Sequence, residues 1–356
     1  MPSAVSPEPA SGSGPLQVAL VGLGRMGSMI LEALNRGVPA IAVPIVVDPR
    51  PDTDRRAREI TGNDHLVRAG IAELGPLVSD LDAVIIATPT PQHGDQAAWA
   101  IANDLHVFCE KPVTFDGASS RHLQQAADDR GVVLQAGFFR RFAAPWVTAR
   151  QLLKSGAIGV PAAIHCVTWD QNTPAPGFAD PAVSGGLLVD DGVHEFDVAP
   201  WLTGAPFTVV SAIEGPDHKG VVSRVGDAAC AFVTGRLADE TVVTVSLARN
   251  ARFADDMRCE ILGSEGAIFV ESSPVGTTRI GTDDGMRSID AGACPDGFDD
   301  GLIGELRAFA AVVGGANVDY PNGADSATAV DVANAAVTSA RQGGTWVDIA
   351  PEPFAS

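Results

Sequence analysis

Tyrosine occurs once in the chain, at Tyr320, and Pro321-Asn322-Gly323-Ala324 follows it with no lysine four residues on, which excludes a Tyr/Lys catalytic pair of the short-chain dehydrogenase kind. Cysteine is also scarce. Cys109, Cys166, Cys230, Cys259 and Cys294 are widely separated, with no CxxC pair and no histidine at finger-like spacing. Neither a structural zinc site nor the zinc site of an alcohol dehydrogenase is expected, and no metal is called for. Such cysteine usage fits reduced thiols in a cytoplasm. Basic residues are few: 24 Lys and Arg stand against 44 Asp and Glu, a net charge of −20. That charge repels phosphate backbones and anionic lipid surfaces, so neither nucleic acid nor membrane is an expected partner. No apolar run reaches the roughly 18 residues that crossing a bilayer requires. Residues 1–14 lack both a basic start and an apolar core, so they read as a disordered tail and not as a signal peptide.

What is present is enough for two globular domains: 356 residues, 46% hydrophobic and only 19% charged. Over residues 15–137, short apolar runs alternate with helical patterns. Strands are predicted at Leu16–Val21, Ile41–Val47, Ala83–Ala87, His106–Cys109 and Val132–Leu134, with helices over Met26–Asn35, Thr53–Ile60, Gln92–Ala102 and Gly117–Asp129. This is the βαβ rhythm of a parallel sheet, whose strands are covered on both faces and therefore run apolar without alternation, as Ala83-Val84-Ile85-Ile86-Ala87 does. Over residues 138–350 the pattern changes. A helix at about Pro145–Leu153 leads into strand-like stretches at Ala162–Thr168, Thr208–Ile213, Ala228–Thr234, Thr241–Leu247, Met257–Leu262 and Ala267–Val270, with short connections. Helices near Asp190–Leu202, Gly301–Val313 and Ser326–Ala340 complete an α+β domain with an antiparallel sheet.

Between the first predicted strand and helix stands Val21-Gly22-Leu23-Gly24-Arg25-Met26-Gly27. Three glycines in a strand-to-helix turn let the backbone approach a pyrophosphate, which the amides and dipole of the helix N-terminus favour. Asp48 ends the next strand, 21 residues beyond Gly27, where it can accept hydrogen bonds from an adenosine ribose. Asp48 would repel a 2′-phosphate and Arg50, Arg55 and Arg56 would attract one; the acid, acting at the ribose itself, favours NAD over NADP.

Three further stretches carry candidate chemistry. Phe108-Cys109-Glu110-Lys111-Pro112 should emerge at the carboxyl edge of the sheet, where ligands of open α/β folds bind, with Pro112 restricting Lys111 to an extended or cis geometry. The alternative is a surface lysine before a loop proline. Ala87-Thr88-Pro89-Thr90-Pro91-Gln92-His93 closes another strand, so Thr88, Pro89 and His93 can line the cofactor, although His93 also suits a helix start. In Gly185–Asp197, a helix would place Asp190, His194 and Asp197 on one polar stripe at i, i+4 and i+7. Asp190 would then orient His194 as a general base. The alternatives are an acid capping a helix start with a structurally satisfied histidine, and Asp191 as a rival orienter. Trp169, Asp170 and Asn172 end a strand and enter a Pro/Gly loop, where they can offer hydroxyl-binding groups.

Taken together, Gly22-x-Gly24-Arg25-Met26-Gly27, Thr88-Pro89 with His93, Glu110-Lys111-Pro112, Gly137–Phe142, and Gly185-Gly186-x3-Asp190-x3-His194-x2-Asp197-x3-Trp201-Leu202 resemble the Gfo/Idh/MocA family of oxidoreductases. Within it the chain is similar to inositol dehydrogenases, Pro174–Phe178 included. The resemblance implies a Rossmann domain followed by a domain with a large, open, mostly antiparallel sheet that usually mediates oligomerisation, here into a homodimer or homotetramer. It also implies a catalytic group of Lys111, Asp190 and His194, with substrate held between the domains against the nicotinamide. The expected activity is NAD-dependent oxidation of a secondary hydroxyl of an inositol-like polyol. The alternatives are a dehydrogenase of a pyranose or anhydrosugar, a ketosugar reductase, and a non-catalytic NAD-binding sensor of the same fold. With Tyr320 the only tyrosine, any substrate-binding tyrosine placed elsewhere in family members is missing, which leaves the substrate open.

Overall fold

A computed structural model describes residues 14–171, 175, 177–218, 220, 222–249, 251, 255–273, 277–289 and 297–350. The expected tail, apart from Gly14, and Asn172 and Pro174 lie outside these residues. The described residues form two compact units: those within 1–113, 121–137 and 302–323 make the first, and those within 114–120, 138–301 and 324–356 the second.

In the first unit, strands β1 (Leu16–Val21), β2 (Ile41–Val47), β3 (Leu66–Arg68), β4 (Ala83–Ile86), β5 (His106–Glu110) and β6 (Leu134–Gly137) form a parallel sheet in the order β3-β2-β1-β4-β5-β6. Helices α1 (Arg25–Gly37), α2 (Thr53–Thr61), α3 (His93–Ala102) and α4 (Gly117–Arg130) provide crossovers. The order reverses between β1 and β4, which makes the carboxyl ends of those strands the place where a doubly wound sheet binds its ligand. Continuous apolar strands build the core: Ala83, Val84, Ile85 and Ile86 are all fully buried. Full burial of one Val or Ile side chain contributes about 1.5–3 kcal/mol. Beyond the predicted elements are β3, a three-residue edge strand, and a 3-10 stretch over Ile71–Asp80.

In the second unit, α5 (Ala144–Lys154) leads to β7 (Pro161–Asp170), and α6 (Pro181–Ser184), α7 (Leu187–Asp190) and α8 (Gly192–Thr203) follow. Strands β8 (Phe207–Gly215), β9 (Cys230–Leu237), β10 (Val242–Arg249), β11 (Asp256–Gly263), β12 (Ala267–Ser273), β13 (Thr277–Thr282) and β14 (Gly285–Ile289) come next. Helix α9 (Gly297–Val313), which begins here and passes into the first unit, is followed by α10 (Gly323–Arg341) and the short β15 (Val347–Asp348). The sheet runs β14-β13-β12-β11-β7-β10-β9-β8-β15. It is antiparallel except where β7 and β10 pair in parallel. Its strands alternate. Ile164, Cys166, Thr168, Val243, Val245, Leu247 and Arg249 face the side that packs against α8, where Thr168 meets Glu195. His165, Val167, Thr244, Ser246, Phe232, Ile213 and Leu262 face the other side, and the last three are more than half exposed.

The chain does not divide at one point. From Leu302 to Gly323 it belongs to the first unit, where Phe309 of α9 meets Phe108 of β5 edge-on at 5.9 Å.

Candidate active site

The glycine turn is built as a dinucleotide site requires. Gly22 has φ +94°, and a Cβ there would lie 2.7 Å from the Ala87 carbonyl oxygen; one at Gly27 would lie 2.0 Å from the Gly22 oxygen. These two glycines let β1, β4 and α1 close upon each other. Gly24 differs: a Cβ there would meet nothing within 4 Å. Gly24 is also the N-cap of α1, with no side-chain cap and no acid in the first turn. The amides of Arg25 and Met26, and the positive end of the helix dipole, therefore face the open ground an anion would take. The residues present fit a dinucleotide pyrophosphate.

Asp48 borders the same turn. One of its carboxylate oxygens accepts the Leu23 N–H at 2.8 Å, the other the Arg50 N–H at 3.0 Å, and the Arg50 guanidinium grips both at 2.8 Å. Burial pushes this carboxyl up, but the Arg50 side chain and the two backbone donors outweigh it and hold Asp48 below the usual carboxylate range. Of the three arginines that would attract a 2′-phosphate, Arg50 serves Asp48, Arg55 pairs with Asp52 and Glu59, and Arg56 donates to Ser28 Oγ. The arrangement suits NAD.

At the end of β5, Glu110 is buried and its carboxylate accepts the Lys111 N–H at 3.3 Å; the Lys111–Pro112 bond is cis. His93 braces this turn. Its Nδ1 lies 2.9 Å from the Pro112 oxygen and its Nε2 2.8 Å from the Thr88 oxygen. The ring is thus buried between two protein carbonyls, to one of which the neutral imidazole donates its single N–H, so His93 braces the backbone beside the expected cofactor-lining residues. Burial pushes His93 below the usual histidine range. The Thr88 hydroxyl donates to Gln96 at 2.7 Å, and Pro89 caps a short 3-10 turn over Thr90–Gln92.

In the second unit, Asp190 and His194 do not share one continuous helix. The backbone breaks at Asp191 between α7 and α8, and the His194 N–H turns to the Asp191 oxygen at 3.2 Å. Arg249, at the end of β10, faces this junction. Its guanidinium lies 3.0 Å from Asp190, 3.5 Å from Asp191 and 2.5 Å from Asp227, and is only 3% exposed. Burial would push this group down, and the three carboxylates hold it up. Asp190 therefore enters the site already gripped. His194 stands edge-on to Phe139 at 5.3 Å and Phe138 at 6.1 Å, which fixes the plane of its ring. Asp197, the third member of the expected stripe, is buried in an ion pair with Arg141, which also bonds Asp325 at 3.0 Å. It therefore belongs to the core. Glu195 is likewise buried, bonded by Arg140 and Thr168.

The structure separates Trp169 from Asp170. Trp169 lies on the sheet face away from α8, its indole donating to Ser246 at 3.0 Å, whereas Asp170 shares the face of Thr168 and Arg249. Strand alternation forbids both side chains from serving one site. Arg249 was missed by sequence reasoning; its only signal was a lone arginine ending an apolar strand. Among the described residues there is no metal-binding cluster and no helix long and apolar enough to cross a membrane.

Comparison with known proteins agrees with this geometry. Residues 16–138 match the family described as an oxidoreductase family, NAD-binding Rossmann fold, and residues 150–349 match its C-terminal alpha/beta domain. The chain is 31% identical over 258 residues to scyllo-inositol 2-dehydrogenase (NAD(+)) of Bacillus subtilis, covering 72% of this chain and 73% of the relative. It is 31% identical over 352 residues to inositol 2-dehydrogenase 4 of Saccharopolyspora erythraea, covering 95% and 97%. A crystal structure of scyllo-inositol dehydrogenase from Lactobacillus casei with bound NAD(H) and scyllo-inositol superposes with a TM-score of 0.81 at 25% identity, over 95% of this chain and all of that one.

Proposed function

The chain belongs to the Gfo/Idh/MocA family of NAD-binding oxidoreductases, and on that premise we propose that it oxidises a secondary hydroxyl of an inositol-like cyclic polyol to the ketone. NAD, when bound, supplies the hydride acceptor. Gly22, Gly24, Arg25, Met26 and Gly27 hold its pyrophosphate and Asp48 its ribose, with Thr88, Pro89 and Glu110 bordering the same strand ends. His194 takes the hydroxyl proton as general base. Lys111 stabilises the oxygen as negative charge develops on it, and Asp190, gripped by Arg249, orients the histidine. Asp170, on the same sheet face as Arg249, is assigned to hydroxyl binding together with Asn172.

One observation carries the reading: a dinucleotide turn open at Gly24 and closed by Asp48 occurs in a chain similar along nearly its whole length to inositol dehydrogenases. We assign residues 15–137 to NAD and 138–350 to substrate and assembly. A second copy of the chain covers the exposed sheet face carrying Ile213, Phe232 and Leu262, giving a homodimer or homotetramer. The reading is tested by following NADH formation with myo-inositol, scyllo-inositol, glucose and an anhydrosugar, each with NAD and with NADP. Turnover confined to the inositols with NAD supports it; turnover confined to sugars, or none, overturns it.

A further inference from the structure

Next to Lys111, in the first unit, two carboxyl side chains are buried where α9 covers the face of β5 that bears Glu110. Phe108 and Glu110 project from the same face of β5, and their register partners on β6, Gln135 and Gly137, share that face. Helix α9 lies over it: Phe309 meets Phe108, and the Gln135 amide donates to the Glu305 carbonyl at 2.9 Å. Glu305 is 1% exposed and Glu110 7% exposed. Gly137 makes the room, since a Cβ there would lie 3.3 Å from the Glu110 carboxyl. Oε2 of Glu305 has no hydrogen-bond partner among the described residues. An ionised carboxylate so placed is costly, whereas a carboxylic acid has an O–H to give.

We propose that Glu110 and Glu305 hold one proton between them, Glu305 as the neutral acid and Glu110 as the carboxylate, and that this pair fixes the oxygen that receives the Lys111 N–H. Glu305 is then a positioning residue for Lys111. Burial pushes the Glu305 carboxyl well up, and the Glu110 charge pushes it the same way. Two like charges in one dry place do not both ionise. The other groups around the pair do not supply the proton. His93 is pushed below its usual range and the Cys109 thiol above its own, both chiefly by burial; Gln135 is uncharged, and Arg307 of α9 turns to the Gly37 oxygen. Lys111 is the cation nearest in sequence, and its N–H donates to the Glu110 carboxylate at 3.3 Å.

The role for Lys111 rests on the dehydrogenase reading, but the shared proton does not, and the test separates them. The carboxyl carbons of glutamate are labelled with carbon-13 in the full chain and titrated by NMR or infrared spectroscopy, without substrate. A protonated glutamate carboxyl persisting at neutral pH, lost in Glu305→Gln, supports the dyad. In Glu110→Gln, Glu305 should then ionise at least about one pH unit lower. No protonated carboxyl at neutral pH, or an unmoved titration in Glu110→Gln, overturns the dyad whatever the turnover. In kinetics, Glu305→Leu should lower kcat/KM about a hundredfold with a displaced limb of the pH profile, and Glu305→Gln should recover most of that loss. Equal losses in both with an unmoved profile would show a merely structural glutamate. A normal dyad signal with no polyol turnover would contradict the dehydrogenase reading alone.

Discussion

Arg249 grips Asp190 at 3.0 Å while meeting Asp191 and Asp227, so one buried guanidinium orders three acids. Removing it takes a shared cation from three largely covered carboxylates, a loss that costs up to about 3–5 kcal/mol where such a pair is buried. Arg249→Met should therefore lower the melting temperature, and kcat should fall as Asp190 loses its hold. Arg249→Lys should restore part of the stability but less of the kcat, since an ammonium cannot reproduce the fork. Thermal unfolding beside steady-state kinetics checks this; unchanged kcat in Arg249→Met would show that Asp190 does not orient the base.

Asp48, to which the proposed function gives the ribose, is held by Leu23 and Arg50. Asp48→Ala should weaken NAD binding by about 1.5–3 kcal/mol, the worth of a hydrogen bond to a charged group, and narrow the preference for NAD over NADP. Calorimetric titration of both cofactors measures it. The Asp48 carboxyl sits below its ordinary value of 3.8, so its contribution to folding is present above that pH and fades as the pH falls further.

His93 gives the opposite kind of group the same pH sense. Burial holds it below its ordinary value of 6.5, so the folded chain binds the imidazole proton more weakly than the unfolded one. Stability from this residue is full above about 6.5 and declines as the pH drops through the folded value. His93→Gln should flatten the pH dependence of the melting temperature in that acid window. It should also cost about 1–3 kcal/mol at neutral pH by leaving a buried carbonyl unmatched. An unaltered pH profile would contradict the role as a brace.

The sheet face bearing Ile213, Phe232 and Leu262 should be covered by a second copy of the chain. Phe232→Glu places a charge beside Ile213 on that face and should shift the species seen by light scattering toward monomer. No shift would move the interface elsewhere.

Much of this was legible in the residues. The parallel sheet announced itself because strands buried on both faces run apolar without interruption, as Ala83–Ile86 does, and the glycine turn because only glycine tolerates the approach of Ala87 to Gly22. The strand β3 escaped notice because three residues carry no periodicity, and β13 and β14 because Thr, Gly and Arg dominate them. The separation of Trp169 from Asp170 was available from strand alternation alone. The meeting of Asp190 and Asp191 with Arg249 was not, since Arg249 stands 58 residues from Asp191 along the chain. Nor was the return of residues 302–323 to the first unit, for an amphipathic helix does not say which sheet it will cover.

Whether Lys111 and His194 carry the proposed polyol oxidation with NAD is read from NADH formation with scyllo- and myo-inositol by the wild type, Lys111→Met and His194→Ala, beside NAD affinity for each. The wild type should show saturable turnover, each variant a loss of about two to four powers of ten, and both variants NAD affinity within about tenfold of the wild type. Variants that turn over like the wild type, or a wild type that binds NAD yet oxidises neither inositol, would contradict it.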